Sequence, residues 1–399
     1  MSNASGLSLR PPQSLRPRVQ KSIAFLLLAV LIVGTVSLSS FGWRQSVLFL
    51  IGSLFGISLY HASFGFASSY RSLFLYGDTK GVQAQVLMLI IATLLFAPIL
   101  TRETVFGQSV VGSVSPLAAQ GMIGAFLFGI GMQLGSGCAC GTLYTIGGGS
   151  SMMLLTLITF GIGSFWATLT GNLWAGFPKT EPLSLIKIWG WAGIALQLAV
   201  LLLIAVALWY WRTRRTNDAT SSYSPSPTAR SLLYGPWSIA FGAITLAILN
   251  WLTLLISGRP WGVTWGFTLW AAKIAQALGW NPATSEFWSQ GIGARTLNSS
   301  VFADVISVMN FGIVIGAALA AALAGQLLLK RPPSRSGIVA ALIGGLLMGY
   351  GARLAFGCNV GAYFSGIAST SLHGWLWIIF ALLGTAIGVK LRPLFNLSN

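Results

Sequence analysis

The sequence predicts an all-α polytopic membrane protein made of two pseudo-symmetric repeat halves, with about 9–11 membrane segments, some short or re-entrant. Three observations predict it. The 399 residues are 55% hydrophobic and only 7% charged, against about 25% charged in soluble domains. Apolar runs recur at the length of roughly 20 residues that a helix needs to cross a bilayer. A stretch in the first half of the chain also reappears in the second half, 220 residues later.

"SIAFLLLAVLIVGTVSL", "AQVLMLIIATLLFAPIL" and "WAGIALQLAVLLLIAVALWYW" are such apolar runs. A transmembrane barrel would show short alternating strands instead. The first run is longer than the apolar core of a signal peptide, so it reads as a first membrane helix.

Residues 1–22 read as a cytoplasmic N-terminal tail, 23–211 as a first transmembrane half, 212–235 as a Ser/Pro-rich linker loop, and 236–399 as a second transmembrane half. The formal charge is +17. Its basic residues cluster at helix ends and in short loops, as positive-inside topology requires, and nucleic acid is not the implied partner. Arg10, Arg16, Arg18 and Lys21 precede the first helix; Arg212, Arg214, Arg215 and Arg230 flank the linker; Lys330, Arg331 and Arg335 form a third cluster; Lys390 and Arg392 close the chain. All four clusters read as cytoplasmic, which puts both termini inside.

The internal repeat lays "GMIGAFLFGIGMQLGSGCACG" (121–141) over "ALIGGLLMGYGARLAFGCNVG" (341–361), with nine of 21 positions identical. The identities include Gly137, Cys138 and Gly141 over Gly357, Cys358 and Gly361. Apolar bias matches scattered Leu and Gly, but it does not readily register G-C-x-x-G on itself. A fainter echo sets Gly65 and Phe66 over Gly266 and Phe267. Repeated halves with Gly-interrupted apolar segments at matching places point to a transporter site at the repeat interface.

Gly124, Gly129, Gly131, Gly344, Gly349 and Gly351 read as close helix packing. Gly135, Gly137 and Gly141 crowd more tightly and permit a broken helix, whose free N–H groups favour an anion. Broken backbone at membrane depth has to face protein or a wet cavity. Cys138, Cys140 and Cys358 are the only cysteines and form no disulfide framework. An apolar site favours the neutral thiol, a weak donor with a polarizable sulfur, suited to holding a soft sulfur-bearing solute weakly. Cys140 faces Val360 in the repeat, and both a packing role and a site role stand open for it.

Arg353 precedes Cys358 by five residues. Two readings stand: attraction of a divalent anion into a cavity, or snorkelling and pairing with a carboxylate. Arg71 reads as snorkelling to the interface or pairing with a carboxylate, its neighbour Asp78 being the available partner. Asn359 and Tyr144 are polar neighbours able to hydrogen-bond an oxyanion. His61 and His373 fall near predicted helix ends and read as interface positions, and Trp261, Trp265, Trp270, Trp375 and Trp377 as interfacial belts. Only six residues are acidic, and Asp304 alone lies in a strongly apolar run. Coupling to protons or sodium usually uses buried carboxylates, so their scarcity favours passive or weakly coupled permeation. No cofactor, metal or enzymatic constellation is evident.

At "GSGCACG" (135–141), "FGCNVG" (356–361), "RSLFLYGD" (71–78) and "PWGVTWGFTLWAAK" (260–273) the chain resembles the YeeE/YedE family of sulfur-compound transporters, from about residue 46 to 390. The resemblance implies a multi-pass protein of the bacterial inner membrane. It implies uptake of thiosulfate or a related sulfur anion along a narrow path lined by cysteines that hand the substrate on through S–H···S hydrogen bonds. It also implies a small cytoplasmic sulfur-carrier protein as partner. Carried over, Cys138 and Cys358 match the family's Gly-Cys positions. A third path cysteine belongs near the first aromatic segment, where this chain has Gly65. The expected substrate-binding set is Cys138, Cys358, Cys140, Gly137, Gly141, Gly357, Asn359, Gly361 and Arg353. Two other functions compete: a soft-metal carrier using C-A-C and Cys358, and a membrane thiol-disulfide exchange protein.

Overall fold

A computed structural model describes residues 19–215, 229–328 and 334–398. Arg10, Arg16, Arg18, Lys330, Arg331 and most of the 212–235 linker lie outside the described residues. Besides short helices in the connections, the helices that build the bundle are α1 (Lys21–Leu38), α2 (Trp43–His61), α3 (Phe66–Tyr76), α4 (Lys80–Leu100), α5 (Ala119–Leu134), α6 (Ala139–Gly147) and α7 (Ser151–Leu169). They continue with α8 (Trp191–Arg215), α9 (Ile239–Ser257), α10 (Thr264–Ala277), α11 (Val305–Leu323), α12 (Arg335–Leu354), α13 (Ser365–Ala368) and α14 (Leu372–Leu391). A π-helical stretch, Asn359–Phe364, leads into α13. Among the described residues, strand structure is limited to two small antiparallel pairs, Thr104–Val105 with Gln108–Ser109 and Pro116–Ala118 with Lys179–Pro182.

Ten stretches among the described residues are long and apolar enough to cross a membrane, within the predicted range. Three of them are not single helices: Trp43–Tyr76, Ala119–Gly147 and Arg335–Ala368. At about 1.5 Å per residue, 34 helical residues would far exceed a hydrocarbon core about 30 Å thick, and each of these stretches breaks. A fourth break separates α9 from α10. Each break holds a residue in the left-handed region: Ser63 (φ 47°), Ser136 (φ 60°), Gly258 (φ 73°) and Phe356 (φ 58°). Ser136 and Phe356 are related by the 220-residue offset of the sequence repeat, so the repeat extends to backbone conformation. Left-handed non-glycine residues cost of order 1–3 kcal/mol and persist where the surroundings fix them.

The packing is symmetric in the same sense. α5 lies against α12, α5 against α14 and α7 against α12, while α2 packs on α11 and α4 on α9. α1 lies against α11 as α8 lies against α4. The α5–α12 contact explains two glycines in each copy of the repeat. A Cβ on Gly124 would sit 2.6 Å from Gly351 O, and one on Gly131 would sit 2.7 Å from Gly344 O. With no hydrophobic drive between helices in lipid, such backbone approach supplies the packing.

α1 begins beside the end of α11, where Gln20 Nε2 donates to Leu327 O at 2.9 Å. α14 ends against α5, where Arg392 Nη1 donates to Gln133 O at 2.5 Å. That bond answers one of the carbonyls a helix C-terminus leaves free.

Two placements differ from the sequence expectation. Trp261 and Trp377 are 1% and 2% exposed and belong to the core. Trp261 stacks on Phe55 at 3.9 Å, and Trp377 donates its Nε1–H to Gly357 O at 3.2 Å. A buried indole N–H usually finds a partner, as Trp377 does, whereas Trp261 Nε1 has none and its ring is held by stacking. His61 and His373 are both 4% exposed, at helix ends but covered by packing.

Candidate functional site

The breaks put four half-helix starts in the interior. α3 starts after Gly65, α6 after Cys138, α10 after Val263, and the π-helical segment after Cys358. Cys138 (φ −90°, ψ −176°) and Cys358 (φ −107°, ψ −166°) are both extended N-cap residues. Local sequence accounts for this: two residues earlier the chain turns left-handed, and the glycine between (Gly137 or Gly357) has no side chain to obstruct the turn. Gly357 itself has φ 148°, a conformation that L side chains rarely adopt.

The Cys138 sulfur faces the backbone N–H groups of Gly141 and Phe66, and the Cys358 sulfur those of Val360 and Gly361. Gly141 and Gly361 thus do the same thing in each half. All three thiols are free and buried, and they lie in electrostatic reach of one another. Cys140 lies beside Cys138, its Sγ 3.4 Å from Cys138 Sγ. A Cβ on Gly361 would meet nothing within 4 Å, whereas one on Gly141 would lie 3.4 Å from Cys138 Sγ. The thiol itself fills the space at Gly141, whereas the space at Gly361 is open.

The breaks are tied to one another. Asn250 in α9 accepts from Trp261 N at 2.7 Å through Oδ1 and donates to Ser365 Oγ at 3.1 Å, and Ser365 Oγ donates to Trp261 O at 2.8 Å. This triangle holds the α9–α10 break on the start of α13. Phe66 packs edge-on to Tyr363 at 6.3 Å, joining the first break to the last. Gln133 Nε2 donates to Ala67 O at 2.9 Å, joining α5 to α3. Asn359 is fully buried, and neither its Oδ1 nor its Nδ2 has a hydrogen-bond partner.

Arg353 does not reach the thiols through a hydrogen bond or ion pair. Its Cζ lies 4.7 Å from the ring centre of Phe287 and 5.4 Å from that of Trp265, a cation–π arrangement available because both rings pack over the end of α12. Asp78 Oδ1 accepts from Lys80 N at 3.0 Å, so it caps α4. Asp304 caps α11, accepting from Ser307 N at 2.8 Å; burial pushes its carboxyl up, and the bonds from Ser307 pull it partly back. Lys273 Nζ donates to Leu297 O and Ser299 O at 2.7 Å each. Tyr144 lies on α6, and its hydroxyl is 3.8 Å from where a Cβ on Gly65 would be. Sequence reasoning missed the buried polar groups near the second break: Tyr70 on α3, whose hydroxyl donates to Gln85 on α4 at 2.8 Å, and Tyr363 on the π-helical segment. The available signal was Tyr363, five residues after Cys358 in "GCNVGAYF".

Discontinuous helices whose N-termini meet inside a repeat-built bundle define a membrane transport protein. The chain belongs to the Sulphur transport family, whose pattern it matches over residues 61–387. It is similar to the thiosulfate transporter TsuA of Spirochaeta thermophila, 29% identical over 350 residues that cover 84% of this chain and 95% of the relative. The thiosulfate transporter TsuA of Escherichia coli is 24% identical over 84% of this chain and 91% of its own length. The probable transporter YedE of Escherichia coli is 35% identical over 168 residues, 40% of this chain and 41% of the relative.

Proposed function

We propose that this chain imports thiosulfate, or a related sulfur-containing anion, through a narrow path where the four helix breaks meet. Cys138 and Cys358 are its two sulfur contacts, with Cys140 beside the first. The observation that carries the reading is the matched pair of thiols, each the N-cap of an inward-starting half-helix. Free N–H groups at a helix start favour an anion, and the neutral thiol adds a weak, polarizable contact. Weak contacts in series let a solute leave as readily as it enters. Gly137, Gly141, Gly357 and Gly361 keep the backbone within reach of the solute, Asn359 offers an amide N–H, and Arg353 adds positive potential near the second break.

The reading sets the protein in the bacterial inner membrane with both termini cytoplasmic and a small sulfur-carrier protein taking the substrate inside. A potential of 100 mV opposes entry by about 2.3 kcal/mol per negative charge, so consumption of the substrate inside draws uptake forward. The repeat units are α1–α7 and α8–α14, which sets the 212–235 linker inside the second unit, after its first helix.

Growth tests the proposal. A host without sulfate and thiosulfate importers, given thiosulfate as sole sulfur source, is rescued by the wild type and not by Cys138→Ala or Cys358→Ala at matched expression. Rescue by both variants returns the cysteines to packing. The 3.4 Å contact of Cys138 with Cys140 favours one second reading, thiol-disulfide exchange. That reading requires Cys140→Ala to abolish thiol exchange with a reporter disulfide, which transport does not.

A further inference from the structure

The turn that follows Cys358 gathers polar side chains whose hydrogen bonds are not used up. Asn359 is fully buried with both amide atoms unpartnered. Tyr363, on the same π-helical segment, is 5% exposed, stacked on Trp377 at 6.4 Å and edge-on to Phe66. From α3, Tyr70 lies one helical turn after Phe66, the ring that packs on Tyr363. Its hydroxyl donates to Gln85 Oε1 at 2.8 Å, so its oxygen is left to accept from its neighbours. Gln85 Nε2 is buried and also unpartnered. A buried polar group left unpaired costs about 1–3 kcal/mol, and such groups are the exception in folded proteins. Asn359 and Tyr363 lie on the π-helical turn after Cys358, and such turns recur at functional sites.

We infer that Asn359 and Tyr363, positioned by Tyr70 and Gln85, form a subsite for the oxygen-bearing head of a sulfur oxyanion, beside the Cys358 thiol that receives its terminal sulfur. The inference rests on the transport reading above. Amide N–H and phenolic O–H groups are donors that suit sulfonyl oxygens, and hydrogen bonds to charged acceptors are the strong ones. The thiol supplies the contact for the soft end. The subsite occurs once: Ala139 and Leu143 hold the equivalent positions in the first repeat. One ligand therefore satisfies the site with two different ends. Hydrosulfide fills only the sulfur end and sulfate only the oxygen end. A site built to hydrogen-bond a group discriminates strongly against an analogue that lacks it.

The test is uptake of thiosulfate labelled on its terminal sulfur into proteoliposomes, with competition by hydrosulfide and by sulfate. Wild type, Asn359→Leu and Tyr363→Phe are compared, the last removing one oxygen from a ring that stays stacked. In the wild type, each competitor is expected to inhibit at least about tenfold more weakly than unlabelled thiosulfate. In both variants the KM for thiosulfate rises about tenfold or more, while inhibition by hydrosulfide stays as in the wild type. Hydrosulfide competing as well as thiosulfate in the wild type overturns the subsite. So does an unchanged KM in Tyr363→Phe, or a parallel loss of both thiosulfate and hydrosulfide inhibition. Absence of thiosulfate uptake by the reconstituted wild type overturns the transport reading, and the subsite with it.

Discussion

Replacing Gly351 by Val probes the contact that holds the two repeats together. A Cβ at Gly351 would lie 2.4 Å from Gly124 O and 2.8 Å from Phe128 N. Those are backbone atoms, so no side chain can swing aside. Ordinary contact begins at 3.4 Å, so α5 and α12 must part by about 1 Å there, and the two further methyls of Val widen the gap. Overpacking of this kind costs about 1–3 kcal/mol, and leaving Gly in a helix returns only a few tenths of a kcal/mol. The expected loss is therefore about 1–3 kcal/mol in reversible unfolding from detergent micelles. Gly131→Val meets Gly344 O from the other side of the same contact and should cost a similar amount. Thiosulfate uptake should fall as well, because Gly351 and Gly131 each precede their cysteine by seven residues and a shift there moves both breaks. Gly171 has nothing within 4 Å of its Cβ position, and Gly171→Ala serves as control. Stability of Gly351→Val within about 0.5 kcal/mol of wild type, the range of neutral surface changes, would refute the close-approach argument.

Three further outcomes follow from the site and its supports. Gly361→Ala meets no atom within 4 Å, so it should leave stability within about 0.5 kcal/mol yet lower thiosulfate uptake by filling the open space on the turn after Cys358; equal loss of both in a paired melting and flux assay would contradict this. Asn250→Leu removes the bonds of Asn250 with Trp261 N and Ser365 Oγ, leaving only the direct Ser365–Trp261 bond, and strands Trp261 N. It should cost about 1–3 kcal/mol by denaturant unfolding. Arg392→Met leaves Gln133 O without its charged donor and should cost about 1–3 kcal/mol, with uptake reduced in proportion to the folded fraction rather than in KM.

The reading from sequence reached the membrane class, the span count and the two Gly-Cys segments because each rests on local signals: apolar length, basic loop ends and a short repeat. Cys138 and Cys358 were legible for the same reason, since glycine crowding announces a break before any tertiary contact forms. What the sequence did not carry is set by neighbours. Trp261 and Trp377 look like belt residues until Asn250, Phe55 and Gly357 supply their partners. Arg353 looks free to face an anion until Trp265 and Phe287, 88 and 66 residues away in the chain, close over it. Asp78 reads as a partner for Arg71, yet its carboxylate is taken by the start of its own following helix. Tyr70 and Gln85 carry no motif, and only the fold brings α3 and α4 against the turn after Cys358. Cys140 has no repeat partner, and its 3.4 Å approach to Cys138 follows from the first turn of α6.

The most direct test of the thiol path is the initial rate of labelled thiosulfate uptake into proteoliposomes holding equal amounts of wild type, Cys138→Ala or Cys358→Ala. The account requires a fall of about tenfold or more in each variant, equivalent to about 1.4 kcal/mol, with protein that elutes and melts like the wild type. Uptake within about twofold of wild type in either variant, at the same folded fraction, would mean that the substrate passes without touching that thiol.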